Sequence, residues 1–347
     1  MMNKITQTVI DKVMGEGACD AGIATTETLE GGPPSVDLSY VLPEAKSAVC
    51  FVLALDQSLI VPYLKKEDYL SHTRDNTRTN KVASGIALDL ARFLEQKGFP
   101  SYPVASNVVY RQDTERGLLD LFPDISLRYL AVASGIAQFG LSGNVIREEE
   151  GAAIILGAVV TTAELEPTAP LPWEDRYCDG CRLCVASCAS GLMDPKEEDT
   201  VTLGGMEYTY AKRLNYNRCG YVCGGFTGLH SSGKWSTWSP GRFPIPENDN
   251  EFGIALAKSL SPYHARPEPV GARVHLMIDG KFSMTCGNCQ LVCAPDREER
   301  ERRYGALIEG GCVVQNPDGS VEAFPPQEAA EHVAAMNTEI RKLYEEI

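Results

Sequence analysis

The sequence predicts an α/β protein of two parts, in which a cysteine-rich domain follows an α/β domain. The first 165 of its 347 residues alternate apolar runs of strand length with apolar residues at helical spacing. A proline-rich stretch comes next, and nine of the twelve cysteines then lie between residues 177 and 300. A chain of this length buries enough apolar surface for two such domains.

Each predicted element of the first domain has a local signal. ITQTVIDKVMGE, residues 5–16, has apolar side chains at helical spacing, and AVCFVLALD, residues 48–56, is an apolar run that suits a buried strand. NKVASGIALDLARFLEQKG, residues 80–98, predicts the clearest helix, which Gly98 ends. One face of that helix is predicted to carry Val82, Ile86, Leu90, Phe93 and Leu94.

The rest of this domain continues the alternation. YPVASNVVY, residues 102–110, predicts a strand, and SLRYLAVASGIAQFG, residues 126–140, predicts a helix that runs into a glycine-rich turn. AAIILGAVVTT, residues 152–162, predicts a closing strand. We therefore place an α/β domain at residues 1–165.

Residues 166–176 form the predicted boundary. They include Pro167, Pro170 and Pro172, and proline lacks an amide hydrogen and forces its predecessor out of helical space. The cysteine-bearing domain is predicted over residues 177–300, with an inserted loop rich in Trp, Gly and Pro that packs rather than flexes. Residues 301–347 are predicted to be a helical tail, and APDREERERRYG, residues 294–305, predicts a solvated helix face.

Composition narrows the classes of function. The net charge of −15, with no long Lys/Arg run, argues against a nucleic-acid partner. The longest apolar runs are too short to cross a bilayer, and the first residues resemble no secretory signal, so we expect a cytoplasmic protein without a membrane span. In that reducing compartment, twelve cysteines indicate metal ligands rather than disulfides.

The cysteine spacing is the most specific signal in the chain. One run reads C-x2-C-x2-C-x3-C and consists of Cys178, Cys181, Cys184 and Cys188. This spacing is typical of bacterial ferredoxins with two [4Fe–4S] clusters, in which three thiolates hold one cluster and the fourth holds the other. Structural zinc is the alternative, but zinc sites prefer pairs of C-x2-C and would leave the middle cysteine surplus.

A second set must supply four more ligands. Cys286, Cys289 and Cys293 read C-x2-C-x3-C, and either Cys219 or Cys223 can provide the missing thiol. The spacing predicts that Cys293 completes the first cluster. The second cluster is predicted to take Cys188, Cys286, Cys289 and one thiol of the Cys219/Cys223 pair.

Two clusters need an electron acceptor, and the first domain is large enough to hold one. No G-x-G-x-x-G fingerprint or P-loop is present, so a flavin site without a glycine motif remains possible.

Three segments resemble a known family. VLPEAKSAVCFVLALD, RYLAVASGIAQFGLSGNVI and GAAIILGAVVTTAEL resemble, in order, conserved stretches of the epoxyqueuosine reductases and reductive dehalogenases, and the cysteine runs follow in the same order. The resemblance covers residues 5–295. It implies a nitroreductase-like α/β domain that binds cobalamin and a bacterial-ferredoxin-like domain whose two [4Fe–4S] clusters reduce the cobalt to Co(I).

The resemblance also implies site residues. YNRCGY is similar to the family's RRCISY, which favours Cys219 over Cys223 as the second-cluster ligand. The family's acidic residue before the motif helix and its lysine after the glycine turn have no counterpart in matching context here. The resemblance therefore leaves the substrate open.

Other candidates lie in the first domain and in the inserted loop. Tyr110 beside Arg111 could donate a proton, since a cation tunes a phenol's pKa, or could simply pack at a strand end. The glycines Gly135, Gly140 and Gly143 could let a flat macrocycle approach the backbone, or could merely end a helix. Three ring-bearing residues of the loop could shield the cofactor, close a substrate pocket, or only pin the loop: His230, Trp235 and Trp238.

The function predicted from these signals is that of an anaerobic iron–sulfur oxidoreductase. It takes single electrons from a ferredoxin or flavodoxin and uses cobalamin for a reductive reaction on a small molecule. Two alternatives stay open: an electron-transfer protein that reduces a partner such as a corrinoid protein, and a flavin-dependent reductase.

Overall fold

An antiparallel sheet organises the first half of the chain. The computed structural model describes residues 4–104, 109–174, 176–269 and 284–347. The elements of the first half are α1 (Lys4–Gly15), β1 (Asp20–Thr25), β2 (Ser47–Ala54), α2 (Ile60–Leu64), α3 (Leu70–Gln96), β3 (Ser101–Val104), α4 (Leu127–Ala133), β4 (Gln138–Phe139), β5 (Val145–Ile146) and β6 (Ile154–Thr161).

Four of these strands form one sheet in the order β1-β2-β6-β3, with every neighbouring pair antiparallel. Val49 of β2 pairs with Ile23 of β1 on one side and with Val159 of β6 on the other. Successive side chains of a strand point to opposite faces, so Val49 and Cys50 join different hydrophobic clusters. The sheet is therefore buried on both faces.

Irregular and short elements dominate the second half. Its elements are α5 (Leu183–Ala186), β7 (Met193–Leu203), β8 (Met206–Arg213), α6 (Asn217–Cys223), α7 (Phe252–Ala265), α8 (Asn288–Val292), α9 (Arg297–Glu309), β9 (Cys312–Gln315), β10 (Val321–Phe324), α10 (Pro326–Ala335) and α11 (Thr338–Glu345). The pairs β7–β8 and β9–β10 are antiparallel hairpins.

One hydrophobic cluster joins the two halves. It contains Leu90 of α3 and Val49 of β2, and it continues into Leu291 and Val292 of α8 and Leu307 of α9. All five side chains are at most 1% exposed. Burial of each such side chain stabilises the fold by about 1.5–3 kcal/mol, so the cysteine-bearing helix α8 is held against the sheet domain.

Most elements predicted for the first domain are present. The helices over residues 5–16 and 80–98 and the strands over 48–56 and 152–162 correspond to α1, α3, β2 and β6. Val82 is 42% exposed, so the predicted apolar face of α3 begins one turn later, at Ile86. The strand predicted over 102–110 is formed at Ser101–Val104, and residues 105–108 lie outside the described part.

Several elements had no recognised signal, among them β1, α2, α7 and the β7–β8 and β9–β10 hairpins. The β9–β10 hairpin lies within residues 301–347, so the prediction of a wholly helical tail was wrong there. The predicted tail helix is two helices, α10 and α11, separated at Met336 and Asn337. In the described ranges, every helix is too short or too polar to cross a bilayer.

Candidate metal centres

Four thiols converge at the start of the cysteine-bearing region, and we name them group one: Cys178, Cys181, Cys184 and Cys293. Burial raises the pKa of Cys184, and the nearby Cys293, Cys289, Cys178 and Cys181 raise it further. The thiols of Cys178, Cys181 and Cys289 also raise the pKa of Cys293, so Cys289 of the second set lies close to group one. α5, which carries Cys184, lies against α8, which Cys293 follows.

The loop of group one is shaped by its own residues. Gly180 has φ +70° and Arg182 has φ +62°, so the chain turns twice through the left-handed region between Cys178 and Cys184. These turns let one short loop direct three thiols inward. A substitution of Gly180 would strain the first turn, since other residues rarely adopt this conformation.

A second set of thiols, group two, gathers from separate segments: Cys188, Cys219, Cys286 and Cys289. Burial raises the pKa of Cys219, which also feels Cys286, Cys289 and Cys188. Cys223 lies in the same place, since it too raises the pKa of Cys219 and its Sγ lies 3.7 Å from the carbonyl of Cys286. The geometry therefore brings both Cys219 and Cys223 to group two.

The donor chemistry of both groups fits iron–sulfur clusters. All twelve cysteines are free. Burial raises the pKa of six thiols in these groups and so disfavours their thiolate forms until a cation compensates: Cys181, Cys184, Cys219, Cys286, Cys289 and Cys293. Asn288, between Cys286 and Cys289, is 2% exposed, and among the described residues its side-chain nitrogen has no hydrogen-bond partner. A cluster sulfide would supply such an acceptor. In the described ranges, no set of three or more His, Cys, Asp or Glu side chains surrounds a position for a single metal ion.

The thiols outside both groups, other than Cys223, pack against protein. Cys50 and Cys312 are each 2% exposed, and burial raises the pKa of Cys50 to about 12. Cys19 is half-buried, and its Sγ lies 3.2 Å from the carbonyl of Val52.

A buried arginine supports group one. Arg300 of α9 donates to the carbonyls of Ala294 and Pro295 at 2.6 and 2.7 Å and pairs with Asp179 at 2.8 Å. It lowers the pKa of Cys293 against the larger effect of burial. The prediction of a wholly solvated α9 was therefore wrong at Arg300 and at Arg303, which are 4% and 3% exposed. A run of mixed charges does not show which of its arginines turn inward.

Lys66 supports group two. Burial lowers the pKa of this ammonium to about 8, and the thiols of Cys286 and Cys312 oppose that shift. Its Nζ donates to the carbonyl of Leu64 at 3.0 Å, and its backbone has φ +63°. Lys66 forms no ion pair with a carboxylate of the described residues. Its positive charge therefore acts electrostatically on the thiols of Cys286, in group two, and Cys312.

Tyr110 lies near group two, but Arg111 does not lower its pKa. Burial raises the pKa of Tyr110, and Cys219 and Cys223 raise it further. Arg111 instead donates to both carboxylate oxygens of Asp113 at 2.9 and 2.7 Å, and to a backbone carbonyl. The expected lowering of the Tyr110 pKa by Arg111 was therefore wrong, because the guanidinium is occupied by a closer carboxylate.

The tyrosine that a cation does tune is Tyr216. Burial opposes its ionisation, but Arg128 and Arg213 outweigh burial and lower its pKa to about 8. Arg128 donates to the Tyr216 hydroxyl at 3.1 Å. Sequence reasoning missed this pair because the two partners are 88 residues apart.

The three candidate glycines face protein atoms. Gly135 has φ +71°, and a Cβ there would lie 2.2 Å from the carbonyl oxygen of Ala169. Gly143 has φ +70°, and a Cβ there would lie 2.9 Å from Nε of Arg213. A Cβ at Gly140 would make ordinary contacts with protein. Protein atoms therefore fill the Cβ side of Gly135 and Gly143, and the approach of a macrocycle to these glycines stays a prediction.

The inserted loop is packed and borders a cavity. Trp235 is 2% exposed and stacks on His230 with ring centroids 4.4 Å apart, so these two pin the loop. Trp238 lines a cavity of about 740 Å³, part of which is open to solvent. Tyr69, Tyr263 and Arg266 also line it.

Backbone hydrogen bonds connect this cavity to group two. The Trp238 N–H donates to the carbonyl of Thr285 at 3.0 Å, and the Thr285 N–H donates to the carbonyl of Cys223 at 2.9 Å. Thr285 lines the cavity and directly precedes Cys286. The cavity wall therefore includes the residue that directly precedes Cys286, a thiol of group two.

Comparison with known proteins gives one clear relative. No family model matches the chain. An epoxyqueuosine reductase of Gloeobacter violaceus is 27% identical over 177 residues, which are 48% of this chain and 47% of that protein. The match confirms the predicted resemblance, and it spans about half the length of the curated relative.

Two solved structures are more distant. An epoxyqueuosine reductase solved with an epoxyqueuosine-modified tRNA stem loop is 16% identical, with a TM-score of 0.44 over 98% of this chain and 74% of that chain. A B12-dependent reductive dehalogenase is 15% identical, with a TM-score of 0.44 over 93% of this chain and 46% of that chain. The tRNA is a ligand of that reductase, so the prediction that this chain binds no nucleic acid stays a prediction.

Proposed function

Since the chain is a relative of the epoxyqueuosine reductases, we propose that it is an iron–sulfur reductase that passes single electrons through two [4Fe–4S] clusters to an acceptor beside group two. The observation that carries this proposal is the gathering of four thiols in group one, and of the four thiols of group two with Cys223 beside them. Two sets of thiols, one mainly from a short motif and one mainly from separate segments, would suit two neighbouring cubane clusters. Residues 177–300 would then be the ferredoxin-like part, and residues 1–165 the nitroreductase-like part.

The cavity lined by Trp238 is our candidate site for the acceptor. Its aromatic side chains suit the face of a flat conjugated ligand. Arg266 is 8% exposed and forms no ion pair with any described carboxylate, while its Nε and Nη1 donate to the carbonyls of Leu343 and Gly225 at 2.8 and 3.1 Å. The guanidinium therefore supplies positive charge at the cavity wall.

The family resemblance names cobalamin as the acceptor, and flavin is the alternative. Cobalamin, when bound, would supply a low-potential reductant for a small molecule. The residues that would hold either cofactor are the aromatic wall of Tyr69, Trp238 and Tyr263 and the cation of Arg266. A whole cobalamin exceeds the 740 Å³ of this cavity and would extend beyond it into solvent.

Tyr216 is our candidate proton donor for the reduction on the basis of its electrostatics alone, since it is not among the residues that line the cavity. Its depressed pKa of about 8 keeps the phenol mostly protonated at neutral pH while making its proton easier to release. Arg128 and Arg213 would stabilise the phenolate that remains. Tyr110, whose pKa is raised, fits this role less well.

Anaerobic purification with added hydroxocobalamin, followed by quantification of iron, cobalt and flavin, tests the proposal. We expect about eight irons per chain, four per cluster, with one tightly held cobalt. Eight irons with flavin would move the assignment to a flavin reductase. Eight irons without cobalt or flavin would support an electron-transfer protein that reduces a partner such as a corrinoid protein. Zinc in place of iron would end the proposal.

The electron donor is a further part of the same proposal. A ferredoxin or flavodoxin would reduce group one, whose Cys181 lies between the exposed Gly180 and Arg182. Addition of photoreduced flavodoxin to the oxidised protein would test the donor, and loss of absorbance near 400 nm would report reduction of the clusters.

A further inference from the structure

A five-residue turn, residues 140–144, contacts both thiol groups. The backbone N–H of Leu141 donates to Sγ of Cys178, in group one, at 3.3 Å. The side-chain nitrogen of Asn144 donates to Sγ of Cys289, in group two, at 3.6 Å. Gly140 and Gly143 close the turn by backbone hydrogen bonds at 2.8 Å. The glycine-rich turn of the first domain is therefore a source of N–H donors for sulfur.

Arg213 fixes the orientation of the Asn144 amide. Its Nη2 donates to Oδ1 of Asn144 at 2.9 Å, and its Nε donates to the carbonyl of Ser142 at 2.9 Å. A guanidinium only donates, so it must face the amide oxygen and leaves the amide nitrogen directed at Cys289. Gly143 lets Arg213 come this close, since a Cβ there would lie 2.9 Å from Nε.

We propose that Asn144, oriented by Arg213, is a positioning residue that raises the reduction potential of the second cluster through its N–H···S hydrogen bond to Cys289. The inference rests on the proposed function, which places a [4Fe–4S] cluster on group two. A donor to a thiolate sulfur stabilises the more negative, reduced state of a cluster and so raises its potential.

The two bonds of the turn differ in how they can be removed. The bond to Cys178 comes from the backbone, so any residue at position 141 except proline retains it. The bond to Cys289 comes from a side chain, so one substitution removes it. A change at Asn144 is therefore expected to affect only one of the two clusters.

The test is a potentiometric titration of the anaerobically purified protein, with each cluster followed by its EPR signal. Asn144→Leu and Asn144→Ala both remove the amide donor without adding charge, and the two variants differ in the side-chain volume that they leave. Asn80→Leu is the matched control, because the half-buried Asn80 donates to the carbonyl of Asn76 on the distant α3.

For both Asn144 variants we expect one midpoint to fall while the other stays within error. The expected size is a tenfold change in the one-electron equilibrium, or about 59 mV. Asn80→Leu should leave both midpoints unchanged. Iron content equal to that of the wild type shows that the variants still fold around their clusters.

Two outcomes would overturn the inference while sparing the proposed function: unchanged midpoints in both variants with full iron content, or an equal shift of both clusters. If Asn144→Leu fails to hold iron, Asn144→Ala alone decides between these outcomes. A wild-type protein without any [4Fe–4S] EPR signal would instead overturn the proposed function, and the inference with it.

Discussion

Group one and group two differ in how the chain assembles them. Group one takes three of its thiols from the single loop between Cys178 and Cys184, and its fourth, Cys293, from the residue after α8. Group two takes one thiol from the end of that run and the others from segments about 30 and 100 residues later. A local motif is enough to predict the first group, whereas the second exists only when distant segments pack together.

The surroundings of the two groups also differ. Group one has the guanidinium of Arg300 and the N–H of Leu141. Group two has the ammonium of Lys66, the amide of Asn144 and the hydroxyl of Ser190, which lies 3.2 Å from Sγ of Cys188. More side-chain donors surround group two. This difference predicts a higher reduction potential at group two and electron flow from group one towards the cavity.

Removal of one thiol from each group should have the largest effect. Cys184→Ala is expected to cost group one its cluster, and Cys286→Ala to cost group two its own, so that each variant retains about four of eight irons. Iron per chain and EPR spin quantification measure this. Cys50→Ala is the control, since its thiol is buried outside both groups. Full iron content in Cys184→Ala would show that the grouping is wrong.

The choice between Cys219 and Cys223 is the next test. We expect Cys219→Ser to lose about four irons and Cys223→Ser to keep about eight. Cys223 already contacts the carbonyl of Cys286 through its Sγ, and the family motif favours Cys219. The same iron assay separates the two variants. The reverse pattern would reassign the ligand without changing the group.

Tyr216 should titrate apart from the other tyrosines. Its pKa of about 8 lies below the usual value of 10, so the folded state releases this proton before the unfolded state does. Its contribution to stability is therefore present above pH 10 and is lost as the pH falls through 8. The difference in phenolate absorbance near 295 nm between wild type and Tyr216→Phe should show one ionisation near pH 8. A difference centred at pH 10 or above would contradict the Arg128 and Arg213 contacts.

Lys66→Met should lower the reduction potential of the second cluster only. Lys66 is half-buried, and its ammonium acts electrostatically on the Cys286 thiol, so its charge favours the reduced, more negative cluster. EPR-monitored titration measures the shift, with Lys65→Met as the control because Lys65 is exposed and lies 4.0 Å from Glu67. An equal shift in both variants would show that general surface charge, and not the position of Lys66, is responsible.

Ser190→Ala should have the smallest effect. The hydroxyl is a single neutral partner of Cys188, so we expect a fall in the second midpoint smaller than that of Lys66→Met. Ser187→Ala is the control, since its hydroxyl donates to the carbonyl of Cys184 rather than to sulfur. If Ser187→Ala shifts the second midpoint more than Ser190→Ala does, then the Ser190 hydroxyl does not explain the difference in potential between the two groups.

The sequence alone determined the features that depend on short spacing. The C-x2-C-x2-C-x3-C run, the apolar strand β2 and the helical period of α3 could all be read locally, because ligand spacing and side-chain periodicity are properties of neighbouring residues. The resemblance to epoxyqueuosine reductases rested on such local motifs as well.

Only the tertiary structure decided which distant residues meet. Tyr216 met Arg128 across 88 residues, and Asn144 reached Cys289 across 145 residues. Hydrogen bonds and ion pairs act over a few ångströms in space, and their partners follow no spacing along the chain. The cysteine motif therefore identified the chemistry, and the packing of the sheet domain against α8 and α9 decided the groups that surround it.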